Sequence, residues 1–144
     1  MTRILSFFAL TLLLGCSSAD DLAGYGRQSG DLGAFILQHA SKFGARAQRT
    51  NALPQITTDW RYKEDANGVQ IYVVGDHFAP IQSFLTAAFG PPAKPPATNQ
   101  MAGTKSIGTY YGPGLGAALT YGLETTREGK QFTGVVVVRA SVLN

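Results

Sequence analysis

A single cysteine, Cys16, is all that the chain offers in thiol chemistry. One thiol forms no internal disulfide and no thiolate metal cluster, so the core alone must hold the fold. The two histidines, His39 and His77, lie outside any His-x-x-x-His or Glu-x-x-His spacing, which argues against a zinc site. After the N-terminal stretch the carboxylates are sparse: Asp31, Asp59, Glu64, Asp65, Asp76, Glu124 and Glu128, most of them in turns or at helix caps. A glycosidase pair among Asp59, Asp76 and Glu124 would need two of them about 5–10 Å apart, which spacing alone does not give. No Gly-x-Ser-x-Gly elbow is present. Gly112 to Ala117, GPGLGA, matches the dinucleotide pattern G-x-G-x-x-A. That pattern must open a helix, whereas alternation of a strand follows here, and no Lys-Ser or Lys-Thr comes after it. The expectation is therefore a protein that is not an enzyme and holds no metal or dissociable cofactor. The formal net charge of +3 is too small to argue for a nucleic-acid partner.

No apolar run reaches the length of a membrane span either. Arg3 is followed by Ile4 to Leu14, eleven residues interrupted only by Ser6 and Thr11. A spanning helix needs about 20 apolar residues. Eleven fit the h-region of a signal peptide. The run ends in Leu13-Leu14-Gly15-Cys16, and Ser17-Ser18-Ala19-Asp20-Asp21 cannot continue it.

Leu13-Leu14-Gly15-Cys16 resembles the lipobox of bacterial lipoprotein precursors: a Leu three places before Cys and a small residue just before it. The resemblance covers only about the first sixteen residues. It implies a diacylglyceryl group on the Cys16 sulfur, cleavage before Cys16 and, in many bacteria, acylation of the new amino terminus. The only prosthetic group expected is then that covalent lipid. An ordinary secretory signal with a chance cysteine is the alternative. Two or three acyl chains, at about 0.8 kcal/mol per buried methylene, hold a protein stably on a membrane. In the Gram-negative sorting rule, Asp directly after Cys retains a lipoprotein in the inner membrane. Ser17 favours the periplasmic face of the outer membrane instead. On this reading residues 1–15 are the signal peptide and the mature chain runs from Cys16 to Asn144, 129 residues, enough for one domain.

Ser17 to Gly30, SSADDLAGYGRQSG, has few large apolar residues and reads as a tether following Cys16, with the domain at 31–144. A chain starting at Asp31 should then melt like one starting at Ser17. Asp31 to Arg49 carries apolar residues at helical spacing, Leu32, Phe35, Ile36, Ala40, Phe43 and Ala47, with Asp31 as cap and His39 as a half-buried packing residue. Lys42, Arg46 and Arg49 would form a cationic stripe, either a solvated face or a contact for anionic lipid. Trp60 and Tyr62 alternate with polar neighbours, then Asn67-Gly68, then Val69, Ile71 and Val73, which predicts a hairpin with a positive-φ turn. Asp76 to Phe89 is a second helix with Pro80 in its first turn. Pro91 to Lys105 shows no periodicity and reads as a stiff spacer. Strands follow at Ile107–Tyr111, Ala117–Glu124 and Phe132–Arg139, the last with four consecutive valines suited to a central strand buried on both faces.

The predicted architecture is α+β: a two-layer sandwich of a mostly antiparallel five-stranded sheet with two helices on one face, in the order α-β-β-α-β-β-β. Two helices leave the other face open. Trp60, Tyr62, Tyr110 and Tyr111 are the candidates to line it, since strand aromatics suit an interface. The functional expectation is a binding or adaptor module, anchored to the membrane through Cys16, for an envelope protein or polymer. The alternative is a small-molecule or glycan pocket, with hydrolysis as its chemistry if it is an enzyme, around His77 and Asp76.

Overall fold

The computed structural model describes residues 22–48, 52–98, 104–110, 117–125 and 131–139, with side chains described in 22–48, 52–93 and 131–139. It is an α+β fold. Seven strands, β1 (Gly26–Asp31), β2 (Thr57–Glu64), β3 (Gly68–Val74), β4 (Lys94–Thr98), β5 (Thr104–Tyr110), β6 (Ala117–Thr125) and β7 (Gln131–Arg139), accompany helices α1 (Leu32–Lys42) and α2 (Phe78–Phe89). The strands form one sheet in the order β1-β2-β3-β7-β6-β5-β4, and every neighbouring pair is antiparallel.

The five-strand expectation is thus corrected to seven. The two added strands are the edges. β1 comes from the segment expected to be a tether, and β4, KPPAT, from the expected spacer. In β1 the positions from Gly26 to Ser29 are exposed on both faces, so no buried face gives the strand an apolar alternation. Pro95 and Pro96 suit an edge, since proline cannot donate to a further strand.

Both helices bury their apolar stripes on one face of the sheet. Leu32, Ile36 and Ala40 of α1 and Ile81, Phe84, Leu85 and Ala88 of α2 meet Trp60, Val69, Ile71, Val73, Val135 and Val137. Full burial of each large apolar side chain contributes about 1.5–3 kcal/mol. β7 is the middle strand of the seven. Val135 and Val137 point into this core, while Val136 and Val138, on the other face, are 2% and 7% exposed. The four-valine run is therefore buried on both sides, as its composition implied.

Local chemistry sets the boundaries. Asp31 Oδ1 accepts from Gly33 N at 3.0 Å, capping α1, and from Ile56 N at 3.2 Å, tying the helix start to the approach to β2. α1 stops at Lys42, shorter than expected, and Gly44 follows at φ 101°. That left-handed backbone favours glycine and turns the chain. Arg46 accordingly leaves the helix and the expected cationic stripe dissolves; Arg49 lies outside the described residues. In α2, Asp76 Oδ1 accepts from Phe78 N at 3.1 Å, and Pro80 sits in the first turn.

The β2–β3 hairpin forms, but its turn differs from expectation. Asp65 Oδ1 accepts from Asn67 N at 2.7 Å and from Gly68 N at 3.1 Å, so a carboxylate organises the loop. Gly68 is absent from the positive-φ positions. Its smallness serves a close approach instead: a Cβ there would lie 2.2 Å from the Val137 carbonyl oxygen. Gly33 has the same role between helices, since a Cβ would meet the Phe84 ring at 2.5 Å.

Candidate functional site

The helix-free face of the sheet carries two different surfaces. Over β3 and β7 it is closed. Leu22, Tyr72 and Phe132 form a small second core, 2%, 2% and 1% exposed. Tyr25 packs on it, its ring 5.7 Å from that of Tyr72 in an edge-to-face arrangement. The Tyr25 hydroxyl donates to Gln70 Oε1 at 3.2 Å, and partial burial raises its pKa above the usual phenol value. Residues from Leu22 onward are thus a strap and then a strand, which corrects the expectation of a tether reaching Gly30.

Beside the strap, over β1 and β2, the same face opens into a groove of 710 Å³. Leu22, Tyr72 and Val74 contribute apolar surface, and Arg27, Ser29, Asp59 and Arg61 the polar lining. The register places these groups. Ser29 pairs with Asp59, Arg27 with Arg61, and Arg61 with Tyr72, so a row of facing residues crosses three strands. Directly paired side chains in a sheet share a face, with Cβ atoms about 5 Å apart. Val74, 63% exposed, is the one large apolar side chain standing in solvent among the described residues.

Of the four aromatics expected on this face, the two whose side chains are described pack mainly on the helix side. Trp60 is 4% exposed and belongs to the helix-side core, its ring 5.2 Å from Phe35. Tyr62 lies on the same side, half-buried, 5.1 Å from Phe35. Both are turned under α1 rather than offered to a partner. Tyr110 closes β5 opposite Leu119, and Tyr111 lies outside the described residues, as does most of Gly112–Ala117. Two aromatics border the groove: Tyr72, not singled out as a site residue, and Trp60 of the expected set, whose ring is otherwise buried on the helix side.

The two histidines serve as fasteners. His39 is buried, with Nδ1 3.0 Å from Phe35 O and Nε2 3.2 Å from Glu64 Oε2. With both ring nitrogens engaged, it links α1 to the end of β2. Glu64 also pairs with Lys42. The Lys42 hydrogen bond is the largest influence on Glu64 and, with His39, lowers its pKa below the ordinary value of 4.5 despite some desolvation. A lowered carboxylate stabilises the fold above the unfolded value and loses that contribution as pH falls through the folded one. We expect Glu64→Gln to flatten the stability change just below pH 4.5, by less than about 1 kcal/mol because the pair is near the surface. Urea midpoints of both proteins across that range check this.

At the second histidine, His77 N donates to Thr133 Oγ1 at 2.7 Å, and that hydroxyl donates to Gly75 O at 2.9 Å. His77 and Asp76 thereby organise the entry to α2, and neither lines the groove. Among the described residues no three His, Cys, Asp or Glu side chains gather as a metal site would require, and no helix is long and apolar enough to cross a membrane. No family model matches the chain, and no curated protein or solved structure is significantly similar to it.

Proposed function

We propose that this chain is a lipid-anchored binding module of the bacterial cell envelope. Cys16 is its lipidation site, the periplasmic face of the outer membrane its place, and the strand-face groove its ligand-accepting surface. The groove carries the reading. Helices cover one face, the strap covers the other over β3 and β7, and beside it the β1–β2 surface combines guanidinium groups, a carboxylate, a hydroxyl and apolar surface. The ligand is a component of the envelope, its class set by the groove's chemistry. Two measurements test the two halves of this reading. Labelled palmitate should enter the wild-type protein and not Cys16→Ser; equal labelling removes the anchor. The intact lipoprotein, used as bait in detergent-solubilised envelope, should retain a partner that Arg27→Glu releases. Retention of the same partner by both forms would place binding elsewhere.

A further inference from the structure

We infer that the groove takes the phosphate of an anionic lipid headgroup in the membrane that holds the anchor. This rests on the strand face being the binding surface and assigns it a ligand chemistry.

Charge is the first argument. Arg27 and Arg61 are direct cross-strand partners. Like charges placed opposite each other in a sheet are destabilising. Lys63 follows Arg61 on the same side of β2; of the two acids that share this side of β1 and β2, Asp31 caps α1, which leaves Asp59 beside the arginines. Among the described residues Arg27 has no ion-pair partner. An anion at the Arg27 guanidinium relieves the repulsion, and the planar fork of arginine matches phosphate oxygens.

Reach is the second argument. Leu22 is packed in the second core and lines the groove. Six residue steps separate it from Cys16, at most about 20 Å of fully extended chain. A lipidated Cys16 therefore keeps the groove within that distance of the headgroups. Anchoring also makes the contact intramolecular, so a weak headgroup interaction becomes effective. Val74, exposed at the groove, supplies apolar surface suited to the interface between headgroups and acyl chains.

The test uses the mature chain from residue 16 carrying Cys16→Ser, so that no acyl chain masks the contact. It is floated at low salt with vesicles of phosphatidylcholine alone or mixed equally with phosphatidylglycerol. The protein should float with the anionic vesicles and not with the neutral ones. Arg27→Gln, at an exposed edge position where loss of the like-charge pair leaves the fold at least as stable, should lower partition about five-fold, the usual worth of one basic residue at an anionic surface. Arg27→Lys should restore most of it. Excess glycerol phosphate should compete only weakly, because the membrane supplies a dense array of phosphates. Complete competition would assign the groove to free phosphate compounds and overturn the headgroup. Flotation unaffected by Arg27→Gln, or none with anionic vesicles, overturns it too. If vesicles fail while an envelope protein is captured through the groove, the strand-face reading stands and the lipid assignment falls.

Discussion

A chain that begins at Asp31 will unfold well below one that begins at Ser17. The shorter chain lacks Leu22, which is 2% exposed, and Tyr25, which stacks on Tyr72. It also lacks nearly all of β1, whose six positions from Gly26 to Asp31 pair with β2. Losing a buried leucine alone costs about 2–5 kcal/mol. In a domain of this size each kcal/mol moves the midpoint by about 3–6 °C, so the truncated chain should melt at least 10 °C lower. Its transition should also broaden, because Tyr72 and Phe132 are left uncovered on one face. Calorimetry of the two chains measures this. Equal midpoints would mean that residues 22–30 add nothing to the fold.

The second large effect concerns Trp60. Its indole packs between Phe35 and the helix-side core, so Trp60→Ala should destabilise by about 3–5 kcal/mol. Trp60→Phe should cost far less. It keeps an aromatic ring and removes Nε1, a buried donor with no hydrogen-bond partner among the described residues. An unpaired buried donor carries a penalty of about 1–3 kcal/mol, so its loss offsets part of the lost contact area. Denaturant unfolding of both variants separates the two effects. A nearly unchanged midpoint for Trp60→Ala would show that the ring faces solvent.

Trp60 and β1 mark where local pattern runs out. Alternation groups Trp60 with Tyr62 correctly, since period two is a property of the strand itself. It cannot say which of the two sheet faces the helices cover, because that is decided by contacts distant in sequence. The helix-side aromatics were therefore legible as a set and misplaced as a surface. β1 was illegible for a related reason. Gly26 to Ser29 are exposed, so the strand shows no buried periodicity, and its hydrogen bonds come from β2, thirty residues away. Leu22 and Tyr25 were the only hints, two apolar residues in an otherwise small and polar stretch. α2 and the four-valine strand were readable because cap, periodicity and burial all act locally there. The groove has no sequence signature at all. Arg27 and Arg61 meet only through the β1–β2 register.

The proposal as a whole stands or falls on whether the β1–β2 strand face touches a ligand in the living envelope. A photo-crosslinking residue placed at Ser29, in the groove, should give defined adducts in intact cells. The same residue at Ala34, exposed on α1 on the opposite side of the sheet, should give none. Adducts at Ala34 without any at Ser29 would contradict the account.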